Sequence, residues 1–159
     1  MPAPKQDRAL RDHVMYLLRG GGAHLEFERA VADFPEKLRG VRPEGAPHSG
    51  WELLEHMRMA QGDILDFCRN PEYKELEWPA GYWPPEPAPP HPRAWKKSVD
   101  SFRADLAEIE TLVESADLLA TIPWGDGQTI LREALLAADH NAYHLGQLVL
   151  VRKLLGAWK

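Results

Sequence analysis

Two histidines in the last part of the chain, His140 and His144, have the spacing of a metal chelate. On a helix, side chains four residues apart lie on the same face with about 5–6 Å between their Cβ atoms, so both imidazoles can hold one ion. The zinc-protease motif His-Glu-x-x-His needs a glutamate as general base directly after its first histidine, and Asn141 stands there. The pair therefore favours metal binding over proteolysis, although histidines at this spacing are more often structural or solvated.

A third histidine, His56, lies on a different predicted helix and close to its buried side. Ser49 and Glu52 have the spacing of a capping box, which predicts that this helix starts just after Ser49. Apolar residues recur along it at steps of three and four and define a buried stripe: Leu53, Met57, Ala60, Ile64 and Phe67. An imidazole near the core needs a hydrogen-bond partner or a metal ion for its ring nitrogens. Taken alone, His56 is better interpreted as a core or boundary histidine than as a ligand.

The other histidines and the single cysteine are weaker candidates. His48 lies eight residues before His56, about 12 Å along a helix, so the two can hardly share an ion, and His48 is expected at most at the mouth of a pocket. His13 has the context of a boundary position on the first helix. Cys68, near the end of the second helix, is interpreted as a small buried apolar residue rather than a nucleophile. Two histidines near glycine and proline are expected to be exposed: His24 and His91.

Composition excludes several classes of protein. The 159 residues suit a single domain spanning residues 1–159, and 44% hydrophobic with 27% charged residues is ordinary for a globular protein. One cysteine excludes an intramolecular disulfide framework and favours a reducing, cytoplasmic setting. No apolar run has the length of a signal-peptide core or a membrane span, so no membrane partner is expected. A net charge of −5 with scattered Lys and Arg argues against nucleic acid as a partner.

Four long stretches with helical periodicity must position these side chains, and the predicted fold class is all-α. The long helices are predicted from about Lys5 to Arg19, Ser49 to Asn70, Arg93 to Glu114 and Thr129 to Leu155, with a shorter helix from about Ala23 to Asp33. The connection from Pro71 to Pro92 holds eight of the fourteen prolines together with Trp78, Tyr82 and Trp83. Because these aromatics can be buried, we expect an ordered crossover wrapped over the bundle, with the aromatics packing rather than covering a site. Four long helices with one long crossover are typical of a four-helix bundle, whose core often holds metal sites.

Two motifs together resemble those of the DinB-like family, also called DinB/YfiT-like. They are Ser49-Gly50-Trp51-Glu52-Leu53-Leu54-Glu55-His56 and His140-x-x-x-His144-x-Gly146-Gln147. The resemblance extends over about residues 5 to 157. It implies an up-down-down-up four-helix bundle, often a homodimer, in which three histidines hold a divalent metal ion. Carried onto this sequence, the ligands are His56, His140 and His144, all histidine where some relatives keep a glutamate.

The implied site is an open one. Three neutral imidazoles leave coordination positions for water or substrate, as in catalytic metal sites. Imidazole does not select one metal; zinc and nickel are preferred, and iron, manganese and copper remain open. Four polar side chains are within helical reach of the outer ring nitrogens, and spacing does not decide among them: Glu52, Asp63, Asp139 and Gln147.

The resemblance also implies an activity, because characterised relatives include thiol-dependent transferases and a mycothiol-dependent isomerase. The expected substrate is a small molecule, and the expected reaction is metal-dependent S-transfer from a low-molecular-weight thiol such as bacillithiol or glutathione to an electrophile. Metal coordination deprotonates a thiol at neutral pH, so no protein base is required. The alternatives are a metal-binding protein of damage or stress responses without turnover, a metal-dependent hydrolase, and a bundle that has lost its metal and serves assembly.

Overall fold

The computed structural model describes residues 4–158, and this part of the chain is helical. The α-helices are α1 (Pro4–Arg19), α2 (Phe27–Val31), α3 (Gly50–Arg69), α4 (Ala94–Ser115) and α5 (Ile130–Leu154), with short 3-10 helices at Glu36–Leu38 and Ala80–Tyr82. The all-α class and the four long helices are therefore confirmed. None of the helices within residues 4–158 is both long enough and apolar enough to cross a bilayer. The predicted domain of residues 1–159 includes residues 1–3 and 159, which lie outside the described range.

Local hydrogen bonds explain where the two site-bearing helices begin. At the start of α3 the Ser49 hydroxyl accepts from the Glu52 backbone N–H at 3.2 Å, and the Glu52 carboxylate accepts from the Ser49 N–H at 2.7 Å. This is the predicted capping box, which satisfies two N–H groups that the first turn leaves without partners. The Thr129 side chain caps α5 in the same way by accepting from the Arg132 N–H. At its other end Gly156, with a φ of +67°, follows the helix.

The short second helix is smaller than predicted. The expected range was Ala23 to Asp33, whereas α2 covers only Phe27–Val31. The flanking residues Glu26 and Ala32 have extended backbone, with ψ values of 156° and 140°, and Asp33 has a φ of +53°, all outside the right-handed helical region. The three buried residues Phe27, Ala30 and Val31 anchor this single turn in the core. Backbone turns on both sides, rather than apolar periodicity, set its length.

Contacts between α3 and α4 show that these two helices run parallel. Gln61 of α3 donates to the Phe102 carbonyl of α4, and further along both helices Arg69 pairs with Glu108. Two parallel neighbouring helices need a connection that runs back along the full length of the bundle. Residues 71–93 supply it, which confirms the long crossover.

Helices α1 and α5 run opposite to that pair. Arg19, at the end of α1, pairs with Glu110 of α4, whereas Arg11 reaches the carbonyl of Ala116, just after the end of α4. Similarly, Asn141 of α5 donates to Gln61 of α3, whereas His144, later in α5, lies against His56, earlier in α3. The bundle therefore has the up-down-down-up arrangement that the resemblance implied.

The core consists of two apolar clusters with a polar link between them. One cluster is centred on Phe34, Trp51, Trp95, Phe102 and Leu148, and the other on Val14, Leu18, Ile64, Val113 and Ala137. Gln61 is almost fully buried between them, where it donates to the Phe102 carbonyl and accepts from Asn141. On α5 the two predicted ligands fall between the residues of the second cluster and those of the first. The bundle thus holds α3 and α5 in a fixed register at the site.

Candidate metal centre

The antiparallel packing of α3 and α5 brings all three candidate histidines together. The Nε2 atom of His56 lies 3.1 Å from the Nε2 of His144 and 3.1 Å from the Nε2 of His140. One ring nitrogen from each residue lies within 4.8 Å of the other two, an arrangement that can hold a metal ion. Ligand nitrogens of a tetrahedral zinc site, at Zn–N distances of 2.0–2.1 Å, are about 3.3 Å apart. The spacing of the rings therefore fits a divalent cation.

Hydrogen bonds at the outer nitrogens set the orientation of two rings. His56 Nδ1 is 2.8 Å from the carbonyl oxygen of Tyr82, and His144 Nδ1 is 2.7 Å from the side-chain oxygen of Gln147. Both partners are acceptors, so each Nδ1 carries the proton and each Nε2 carries a lone pair. Two bare Nε2 lone pairs then face each other across 3.1 Å. A cation between them satisfies both, which is the strongest physical argument for a metal at this position.

Burial keeps the three rings neutral. It lowers the pKa of His56 and of His140 from 6.5 to about 4 in each case, and it also lowers the pKa of His144. Because a charged imidazole loses favourable hydration when buried, the neutral form dominates at neutral pH. Only the neutral ring can offer a lone pair to a metal. The buried Nδ1 of His140 has no hydrogen-bond partner among the described residues.

Comparison with protein families shows which family this chain belongs to. A family model described as the DinB superfamily matches residues 23–148, a range that contains all three histidines. The chain belongs to the DinB superfamily. No curated protein and no solved structure matched this DinB-superfamily chain. Family membership together with the three-histidine cluster is compatible with a metal-binding function.

The proline-rich crossover contributes directly to the site of this DinB-superfamily chain, contrary to the expectation that its aromatics only pack. The Trp83 ring stacks on His56 with centroids 3.9 Å apart and planes 3° apart, and the Tyr82 carbonyl holds the Nδ1 of the same histidine. Asp63 of α3 accepts from the hydroxyls of Tyr73 and Tyr82, which ties the crossover to the bundle. Sequence reasoning missed Tyr82 and Trp83 as site residues. Their only signal was the concentration of aromatic residues among prolines.

The four predicted partners of the outer nitrogens have different roles in the structure. Gln147 is the one that bonds a ring nitrogen of the cluster. Glu52 is used by the capping box and by Arg42, and Asp63 by the two tyrosines. Asp139 is exposed beside His140, at the edge of a cavity. The roles of Glu52 and Asp63 depend on Arg42 and on the two tyrosines, which lie outside the four long helices. The spacing of residues along a helix cannot predict such partners.

The remaining candidates lie outside the cluster. The His48 ring stacks on Trp83 at 4.1 Å and so belongs to the surroundings of the site, near its predicted place. Asn141 is directed to Gln61 in the core instead of acting where a protease carries its base. Burial raises the pKa of Cys68 to about 12, which leaves its thiol protonated and a poor nucleophile. His13, His24 and His91 are exposed.

A cavity of about 550 Å³ opens beside the histidines. Its walls come from α3, α5 and the crossover, and include Ile64, Leu136, Tyr82 and Trp83. A concave, mostly apolar space with a few polar groups is the usual form of a small-molecule site. The cluster is therefore accessible to a ligand from one side, while Trp83 covers His56 from another.

The metal-free protein should lose stability as the pH falls below about 6.5. The pKa of His56 and His140 is about 4 in the folded chain against an ordinary 6.5, so protons bind the unfolded chain first. The part of the free energy of unfolding that depends on these rings is complete above pH 6.5. It is lost as the pH falls toward 4, by up to about 3 kcal/mol for each histidine. Urea unfolding followed by circular dichroism between about pH 7 and pH 4.5 measures this loss.

Two variants test whether the histidines cause this pH dependence. His140→Asn removes one buried imidazole and should flatten the curve. His13→Asn, at an exposed position on α1, should leave the curve like that of the wild type. A metal-free wild type whose free energy of unfolding is constant over this range would show that the buried rings are not held neutral.

Proposed function

We propose that His56, His140 and His144 bind one divalent metal ion, zinc or nickel, and that the protein is a metal-dependent S-transferase acting on a low-molecular-weight thiol. The observation that carries the metal site is the pair of unprotonated Nε2 atoms facing each other at 3.1 Å, with their outer nitrogens held by oxygen acceptors. Family membership and the three-histidine cluster support the metal. The adjoining cavity supports a small-molecule substrate.

A bound divalent cation with three protein ligands supplies a Lewis acid with free coordination positions, at which the pKa of a thiol or water is lowered. Residues of the chain orient the ligands, shield them from water and bind the substrate. The Tyr82 carbonyl and Gln147 keep the rings of His56 and His144 in the tautomer whose Nε2 is free. Trp83 shields one face of His56 from water. The apolar walls of the cavity receive the carbon skeleton of the electrophile.

A conjugation assay tests the transferase directly. Metal-loaded protein is incubated with a panel of cellular thiols and a chlorinated nitroaromatic electrophile, in which a sulfur–carbon bond forms, chloride leaves and the thiol proton passes to solvent. We expect metal-dependent product formation that is lost in His56→Ala and retained in His13→Ala. If no thiol reacts although the metal is bound, the transferase proposal is wrong. Thiol-independent cleavage of esters would then favour a hydrolase, and the absence of both activities a non-catalytic metal-binding protein.

We further propose that the protein is a homodimer formed through the solvent face of α5. Leu150 is 55% exposed, and Leu154, four residues later on the same side of the helix, is equally accessible. Gly146 also faces solvent, where a Cβ atom would meet nothing within 4 Å. Glycine in a helix costs about 1 kcal/mol, and no packing within the described chain explains it. A two-fold contact between two copies of this stripe would bury the leucines and use the glycine for close approach.

Native mass spectrometry of the metal-loaded protein tests the dimer. Leu150→Glu should convert it to a monomer, because the contact would bury an unpaired charge. The control Leu119→Glu changes a leucine of similar exposure in the loop after α4 and should remain a dimer. A wild type that is monomeric at micromolar concentration would exclude the proposed contact.

A further inference from the structure

The mouth of the cavity beside the histidines carries large aromatic side chains that are not covered by the fold. Trp78 on the crossover is 70% exposed and Tyr143 on α5 is 65% exposed. The Trp78 ring lies 5.7 Å from that of Tyr82, which continues the aromatic wall inward. Exposed aromatic surface at the rim of a concave site is available for contact with the apolar body of a ligand.

The charges around this cavity have one sign. Asp63 of α3 and Asp139 of α5 line it, whereas no Lys or Arg of the described chain does. Asp139 is exposed and forms no ion pair within residues 4–158. Asp63 accepts hydrogen bonds from two tyrosine hydroxyls, and a carboxylate that does so remains an acceptor with lone pairs to spare.

This distribution bears on which ligands can enter. Carboxylate groups of ligands are usually recognised by Arg or Lys, and a carboxylate placed beside two aspartates is repelled. An ammonium group is attracted by the aspartates and by the faces of the aromatic rings. A metal ion at the histidines would attract the reacting group at the inner end of the cavity, but it would leave the outer end with its two carboxylates and its aromatic wall.

We infer that the cavity selects ligands with an apolar, preferably aromatic body and an uncharged or positively charged end, and excludes those with a carboxylate, with Asp139 as a specificity-determining residue. The inference rests on the proposed function only in treating this cavity as the substrate site. Applied to thiols, it favours uncharged and cationic thiols over carboxylate-bearing ones such as glutathione and bacillithiol.

Three probes that share a phenyl ring and a two-carbon spacer test the inference: phenethylamine, phenethyl alcohol and hydrocinnamate. Binding to metal-free protein is measured by isothermal titration calorimetry and by the fluorescence of the cavity tryptophans. We expect the amine to bind about tenfold more tightly than hydrocinnamate, with the alcohol between them, and the difference to shrink as salt is added. Binding by none of the probes, or hydrocinnamate binding as tightly as the amine, would overturn the inference.

A pair of variants assigns the preference to Asp139. Asp139→Asn should reduce the ratio of amine to carboxylate affinity by about threefold or more. Asp126→Asn makes the same change in net charge in an exposed turn that does not line the cavity, and should leave the ratio unchanged. Equal effects of both variants, or no effect of Asp139→Asn, would show that Asp139 does not determine the preference for amine over carboxylate. Because metal is absent from these measurements, their failure is separate from failure of metal binding or of the conjugation assay.

Discussion

Replacing His140 or His144 by alanine should abolish stoichiometric metal binding. We expect the wild type, purified without a histidine tag, to carry about one divalent ion per chain, and each variant to bind more than about 100-fold more weakly. Loss of a hydrogen bond to a ligand already costs about 10- to 100-fold, and here a ligand itself is removed from a cluster with Nε2 atoms 3.1 Å apart. Elemental analysis combined with native mass spectrometry measures the ion and its stoichiometry.

Thermal stability gives a second measurement of the same prediction. A ligand that binds only the folded state stabilises it by about 2.7 kcal/mol at one hundred times its dissociation constant. Added zinc or nickel should therefore raise the melting temperature of the wild type and of His13→Ala, and should have little effect on His140→Ala. Full metal content in His140→Ala and in His144→Ala would rule out these residues as ligands.

Replacing Arg152 by methionine should destabilise the protein by about 3 kcal/mol or more. Arg152, near the end of α5, is 4% exposed and donates to the carbonyl oxygens of Ala30, Ala32 and Ala157. Each buried carbonyl that loses its donor costs about 1–3 kcal/mol, and the bonds to Ala30 and Ala157 are buried. The guanidinium thus joins the end of α5 to the α2 region and to the last residues of the described chain. Urea unfolding of the metal-free protein measures the change.

The neighbouring residue provides the control. Lys153 is exposed, so Lys153→Met should change stability by no more than about 0.5 kcal/mol. Methionine can fill the volume of an arginine side chain, and some buried charged groups are replaced by apolar ones without loss. If Arg152→Met is as stable as the wild type, the three carbonyl oxygens accept hydrogen bonds from water in the variant.

Much of the architecture could be predicted because it depends on short-range rules. The capping box at Ser49 and Glu52 is a hydrogen-bond pattern within one turn, and it placed the start of α3 correctly. The apolar periodicity of α3 and α5 depends on 3.6 residues per turn. The length of α2 was wrong because extended backbone at Glu26 and Ala32, and a positive φ at Asp33, ended the helical geometry where apolar spacing continued.

The site could be predicted only in part. Helical spacing placed His140 and His144 on one face, but joining His56 to them needed the family resemblance, since 88 residues separate His56 from His144. Gln147 was one of four candidates, and spacing did not decide among them. The carbonyl of Tyr82 is a backbone atom, and no side-chain pattern points to it.

The sequence by itself determined the four long helices, the cap at the start of α3 and the histidine pair, because these follow from interactions within a few residues. Only the tertiary structure decided that His56 lies 3.1 Å from both members of that pair and that the crossover places Tyr82 and Trp83 on its ring. Those contacts depend on the packing register of α3 against α5 and on the path of residues 71–93. Both are fixed by burial of the whole core, where each contact joins residues that are distant in the chain.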